Sequence, residues 1–189
     1  MLFQKYNPSI AIAASVMHQG GVIAYPTEAV WGLGCDPHNE LAVRNILHLK
    51  QRDVSKGLIL VAASIEQFSP YLDELTEGQR QILLQSWPGP STWLVPRNHA
   101  TPMWVSGDHS SVALRVSANP YVRHLCDAFG GPIVSTSANP QGKPAARQAW
   151  QVHGYFHHAP LLNWIAKGSV GSNAQPSAIT DLLSGAIVR

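Results

Sequence analysis

The chain has 189 residues, enough for one domain with a sizeable core. Hydrophobic residues make up 45% of it and charged residues only 13%, a balance that excludes a disordered chain. A formal net charge of +2 permits a nucleic-acid partner without requiring one, so any anion site has to come from local clustering of cations.

In chain order, Asn7-Pro8 reads as an N-cap with proline at the first helical position, opening a helix that stops at Gly20-Gly21. This N-terminus has no basic stretch leading into a long apolar core, so it does not read as a signal peptide. No apolar run reaches the length of a membrane span, and the expected compartment is the cytoplasm. Residues 22–25 read as a short buried strand ended by Pro26, with Thr27-Glu28 opening a loop or helical turn. Gly32 and Gly34 permit close backbone approach, but GLG is not a dinucleotide fingerprint. Cys35 and Cys126 have neither CxxC nor metal-ligand spacing and read as two buried thiols in a reducing compartment.

Asn39 caps a helix carrying Leu41, Ile46, Leu47 and Leu49, which delivers Lys50 at its end. Residues 58–61 form an apolar run that reads as a buried strand. Ser64 with Gln67, and Thr76 with Gln79, look like capping boxes opening two helices. Trp87-Pro88-Gly89-Pro90 breaks the chain. Strands are expected over 91–95, 111–116 and 133–136, and a helix from Asn119-Pro120 to Gly130-Gly131. Residues 140–147, rich in Pro, Gly and Ala, read as a mobile connection before a helix that includes Trp150. Residues 161–165 and 178–182 are late strands, and the small polar stretch 167–175 between them is a loop. Helices and strands alternate without an internal repeat, which favours a single α/β domain over residues 1–189.

Two stretches carry chemistry. Lys50, Arg52 and Lys56 fall within seven residues just before the strand at 58–61. Three cations beside a buried strand suit a polyanion such as a nucleoside triphosphate, with Arg52 as a planar fork and the lysines as compact point charges. The alternative is a solvated basic loop. In the second stretch, PIVSTSAN at 132–139, apolar residues run into Ser135, Ser137 and Asn139 at every second position, on one face of an extended segment. Open α/β sheets bind ligands at such carboxyl ends of strands, whereas a polar strand end can also satisfy its own turn.

Lys50-Gln-Arg52 paired with Ser137-Ala-Asn139 resembles the KxR…SxN signature of the YrdC-like family. Tyr25-Pro-Thr-Glu28 with Gly32-Leu-Gly34 is similar to its YPTET.YGLG segment, and Trp87-Pro-Gly-Pro-Ser-Thr92 to its WPGP.T segment. Leu114-Arg-Val116 is similar to its LRVP strand, and Ser177-Ala-Ile-Thr-Asp181 to its late STIVD strand. The matches come in family order and span nearly the whole chain, whose length resembles the family's short bacterial form without an added C-terminal domain. The resemblance implies a twisted, mostly mixed β-sheet flanked by helices, with a large basic cavity. It also implies threonylcarbamoyl-AMP synthase activity: L-threonine, bicarbonate and ATP, with Mg²⁺ accompanying the ATP, give threonylcarbamoyl-adenylate and pyrophosphate for modification of the adenosine next to the anticodon in certain tRNAs.

On that resemblance, Lys50 and Arg52 are the catalytic pair at the nucleotide phosphates, and Lys56 is a further phosphate or carboxylate contact. Ser137 and Asn139 hold the nucleotide. Arg115 pairs with the threonine carboxylate, while Thr27, Ser135 and Ser177 read its polar groups. The alternatives are a strand-face salt bridge for Arg115 and a helix N-cap for Thr27. No protein metal site is expected. Partners implied are tRNA or structured RNA and downstream tRNA-modification proteins, with no membrane. An RNA-binding module without chemistry, or a carbamoyl-transfer domain for another amine, is the rival reading.

The chain departs from the family pattern in five places. Asp53 and Gly57 stand where proline is common, Ser117 where proline or threonine is, and Ala29 and Trp31 replace threonine and tyrosine or phenylalanine. His153 and His157, four apart with His158 beside them, suit a solvated or RNA-facing cluster better than a metal site. Gly168 to Ser172 lacks a phosphate-loop ending, with Lys167 and Asn173 as weak candidates for a loop that closes over the ligand. Six tryptophans read mostly as core or cavity wall.

Overall fold

The computed structural model describes residues 7–171 and 177–188. Helix α1, Pro8–His18, is capped as expected: Asn7 Oδ1 accepts from Ser9 N at 2.9 Å, and Pro8 sits where no intrahelical donor is needed. Strand β1, Val22–Pro26, is buried throughout. A bend at 27–30 returns it into β2, Trp31–Gly34, antiparallel to it. No helix starts at Thr27. Its Oγ1 donates to Val30 O at 2.7 Å and its N to the same oxygen at 3.1 Å, so the side chain staples the bend.

Helix α2, Glu40–Lys50, is capped by Asn39 through Ala42 N and ends at Gln51 in the left-handed region. A 3₁₀ turn, Val54–Lys56, leads to β3, Ile59–Ala62. The first expected capping box is incomplete. Ser64 makes no cap bond, Gln67 Oε1 accepts from Ala63 N at 2.9 Å, and only a 3₁₀ turn, Ile65–Phe68, and the short α3, Ser69–Leu72, follow. The box at Thr76 is complete and opens α4, Glu77–Ser86. Next come β4 (Ser91–Pro96), α5 (Met103–Ser106), β5 (Ser111–Val116), α6 (Pro120–Phe129) and β6 (Ile133–Ser137), then α7 (Ala149–Phe156), β7 (Leu162–Ile165) and β8 (Ala178–Asp181). Of the expected loop at 167–175, residues 172–175, Asn173 among them, lie outside the described residues.

The strands form one mixed sheet in the order β7-β1-β2-β6-β3-β5-β4-β8, parallel at β1–β7, β3–β5 and β4–β8 and antiparallel elsewhere. Strand alternation divides the core in two. Leu60, Ala62, Val112, Leu114 and Val116 face a cluster completed by Ile46 and Leu47 of α2, Leu83 of α4 and Val152 of α7. Ile23, Tyr25, Val61 and Ile133 face a smaller one with Ile10, Ala14 and Met17 of α1 and Val122 and Leu125 of α6. Each fully buried leucine or isoleucine of this kind contributes about 1.5–3 kcal/mol. Cys35 and Cys126 are free, one in each cluster, and burial raises both thiol pKa values. Among the described residues no helix is long and apolar enough to cross a membrane.

Candidate active site

Helices α1 and α6 cover only part of the second sheet face, over β1, β6 and the end of β3. Over the remainder lies a cavity of about 590 Å³. Strand register builds its floor: Gly32 lies opposite Ser137, Ile59 opposite Ser135, and Val61 opposite Arg115, so their side chains line up on one face. The nine residues assigned from the sequence to the nucleotide or to threonine line this cavity: Thr27, Lys50, Arg52, Lys56, Arg115, Ser135, Ser137, Asn139 and Ser177. Among its described lining residues there are four cations and a single carboxylate, Glu28.

Lys50 ties the two sequence motifs together. Its Nζ donates to Ser137 O at 2.5 Å, Asn139 O at 3.1 Å and Ser137 Oγ at 3.3 Å, using the three ammonium donors on one turn. The residue is only 5% exposed, and burial, followed by the charge of Arg52, lowers its pKa to about 8. Arg52 Nη2 donates to Lys56 O at 3.1 Å and Gly57 O at 3.0 Å, closing the 52–57 loop on itself. Lys56 is exposed at the edge of the cavity. Asn139 Nδ2 donates to Pro140 O and Lys143 O, while its Oδ1 is buried without a hydrogen-bond partner among the described residues.

The connection at 140–147 is pinned, contrary to the expectation of mobility. Gln141 N donates to Lys50 O at 2.8 Å, Trp31 N to Ala146 O at 2.7 Å, and Tyr155 Oη to Pro144 O at 3.0 Å. Composition misled here because its backbone groups find partners far away in the chain. Gln141, Gly142 and Ala145 form part of the cavity wall.

On the other side, Arg115 Nε donates to Gly89 O at 3.0 Å and Nη2 to Glu28 Oε1 at 2.8 Å. The strand-face salt bridge therefore exists, and it lies inside the cavity. Thr92, fully buried, shares a 2.8 Å hydrogen bond with Ser177 Oγ. Tyr25 Oη donates to Ser135 Oγ at 2.7 Å; burial raises the phenol pKa, so it stays a donor and leaves the serine proton for another acceptor. Its ring lies over Gly34, where a Cβ would come within 2.8 Å of Cε1. That close approach is what GLG provides.

A model of the Sua5/YciO/YrdC family, described as "Telomere recombination", matches residues 15–189. The chain belongs to the Sua5/YciO/YrdC family. The threonylcarbamoyl-AMP synthase of Cellvibrio japonicus (strain Ueda107) is 53% identical over 189 residues, 100% of this chain and 99% of that protein. That of Pseudomonas aeruginosa (strain UCBPP-PA14) is 52% identical over 177 residues, 94% of each chain. Sua5 of P. abyssi complexed with L-threonine superposes with a TM-score of 0.87 at 31% identity, over 95% of this chain and 53% of the longer Sua5 chain.

The departures of this Sua5/YciO/YrdC member now have local reasons. Asp53 accepts from Ser55 N at 2.8 Å and caps the 3₁₀ turn, and that bond lowers its pKa. Gly57 has φ +59°, closed to proline, and a Cβ there would meet Ser106 O at 2.8 Å. Ser117 is buried and donates to Glu28 Oε1 at 2.7 Å, a bond that proline could not make. Trp31 packs in the larger cluster and Ala29 lines the cavity. Trp150, His153 and His157 are exposed along or just after α7, and Lys167 is exposed with its N bonded to Ser9 Oγ. Sequence reasoning gave no role to Glu28, Thr92 or Ser117. The first two stand in the quoted motifs, so their polarity within a basic or apolar setting was the available signal. Ser117 showed only as a departure from the family pattern, because its partner lies 89 positions away.

Proposed function

We infer that this chain is a threonylcarbamoyl-AMP synthase, joining L-threonine, bicarbonate and ATP into threonylcarbamoyl-adenylate with release of pyrophosphate. One observation carries the reading: a single cavity holds a cation cluster on one side and a guanidinium–carboxylate pair with hydroxyls on the other. It does so in a chain 53% identical, end to end, to a protein of that name.

The chemistry divides across the floor. The neutral threonine amine attacks the carbon of bicarbonate, a C–O bond of the bicarbonate breaks, and its oxygen leaves as water, giving a carbamate. A carbamate oxygen then attacks the α-phosphorus, and pyrophosphate leaves. Negative charge grows on the phosphoryl oxygens and the leaving group, so catalysis is mainly positioning and fixed positive charge. Arg52 and Lys56 supply that charge. Lys50 adds to the field while its donors shape the turn at 137–139, where Ser137 and Asn139 hold the nucleotide. Asn139 Oδ1, which has no partner among the described residues, accepts from a nucleotide hydroxyl or amino group. Arg115 takes the threonine carboxylate. Ser135, Ser177 and Thr27 read its polar groups, Thr27 only as an acceptor because its proton is committed to Val30 O.

Mg²⁺ fits as a companion of the nucleotide. Glu28 offers no carboxylate pair for an ion, and its Oε1 already serves Arg115 and Ser117, so the nucleotide phosphates would hold the ion. When bound, the ion neutralises triphosphate charge. The adenylate passes to the tRNA-modifying proteins that consume it.

The test is pyrophosphate release with ATP, threonine and bicarbonate omitted in turn. The synthase needs all three and no RNA. RNA binding without turnover, or equal turnover with other amines, would favour one of the rival readings.

A further inference from the structure

We propose that Glu28 recognises the α-ammonium of the amino-acid substrate, beside the Arg115 guanidinium that takes its carboxylate. This rests on the synthase reading above and adds a specificity-determining residue to it.

Glu28 is the single carboxylate among the described residues of a lining that carries four cations. A basic cavity made only for a triphosphate has no use for an anion, which would weaken its field. Yet the fold fixes this one firmly. The Asn119 side chain caps α6 through Tyr121 N and Val122 N, Asn119 N donates to Ser117 Oγ at 3.1 Å, and Ser117 Oγ donates to Glu28 Oε1 at 2.7 Å. Arg115 Nη2 reaches the same oxygen at 2.8 Å. Both bonds thus fall on Oε1, and Oε2 receives none from the described residues. The side chain keeps 22% of its surface exposed, so a ligand in the cavity can reach it.

Arg115 is held in the same manner. Its Nε is bound to Gly89 O and its Nη2 to Glu28, and Nη1, which bonds no described residue, is placed for a ligand. An anion and a cation stand side by side, each fixed by the scaffold and each with polar atoms to spare. An α-amino acid carries the opposite pair, ammonium and carboxylate on one carbon, so the two pairs match in charge head to head. A substrate lacking the ammonium would still satisfy Arg115 but would leave Glu28 Oε2 desolvated and without a donor. Sites built on buried polar groups penalise that heavily.

The test compares L-threonine with its 2-hydroxy analogue, 2,3-dihydroxybutanoate of the same configuration, by titration calorimetry on wild type and E28Q. ATP binding to the same preparations serves as the control for folding. Wild type should bind threonine at least ~30-fold more tightly than the analogue. In E28Q threonine should weaken by roughly 10-fold or more while the analogue changes by less than about 3-fold, so the preference collapses. Equal weakening of both ligands would mean that Glu28 only braces Arg115, and would overturn the proposal. So would unchanged threonine binding in E28Q. The wild-type ratio decides independently of whether the variant folds: equal affinity for the two ligands overturns the proposal as well. A wild type that releases pyrophosphate without regard to threonine refutes the synthase reading instead.

Discussion

Lys50 shows how one residue can be read correctly in type and incompletely in action. Its charge and its spacing from Arg52 are visible in the sequence. Its three bonds to Ser137 and Asn139 are not, because two of the acceptors are main-chain oxygens 87 and 89 positions away. K50M keeps the volume of the side chain and removes the donors. It should lose about 1–3 kcal/mol of stability in urea denaturation, the cost of removing the donors to Asn139 O and to Ser137 O, which would keep only Asn139 N, and turnover should fall with it. The pH dependence has a definite sign. The lysine pKa is lowered from 10.5 to about 8 on folding, so between those values the unfolded chain holds more protons on it than the folded one. Its stability penalty is full below about pH 8 and gone by 10.5, and stability conferred at this site rises with pH across that window. Wild type minus K50M, measured from pH 7.5 to 10.5, should show this rise; a flat or falling difference would contradict it.

At the level of elements, local signals were legible and pairing was not. Asn7-Pro8, Asn39, Thr76 and Asn119 each announce a helix through residues within three positions, and each helix is present. Strand β2 went unread because WGLG has two glycines where alternation would show, and glycine weakens any strand signal. It exists because β1 and β6 flank it and the Tyr25 ring needs the space above Gly34. The connection at 140–147 was misread for the same reason, since what pins it is α2, β2 and α7. Gly57 is the sharpest case. Proline is common there in the family pattern, but this chain holds that residue at φ +59° against Ser106 O. G57P should therefore not restore a family feature. It should destabilise the loop carrying Arg52 and Lys56 by about 3 kcal/mol or more and depress turnover, whereas a stabilised, active G57P would show that the loop is built otherwise.

For the molecule as a whole, one asymmetry matters most. One sheet face is closed by helices α2, α4 and α7, and the other is closed by α1 and α6 over only part of its width. The open part gathers residues from β3, β4, β5 and β6 and from the 27–30 bend into one chamber, so segments far apart in sequence act on the same ligands. Residue types and motif order were enough to bring Lys50 and Arg52 together with Ser137 and Asn139, but not to place Glu28, Thr92 or Ser117. Which of them face one another depended on strand order, which no local pattern encodes. The central claim is that this chamber holds ATP and threonine together and inserts the bicarbonate carbon between them. The most direct measurement incubates the protein with ATP, Mg²⁺, L-threonine and ¹³C-bicarbonate and follows the adenylate by mass spectrometry. The account predicts a threonylcarbamoyl-adenylate carrying one ¹³C, formed in step with pyrophosphate. An adenylate without the label, or pyrophosphate released with threonine absent, would contradict it.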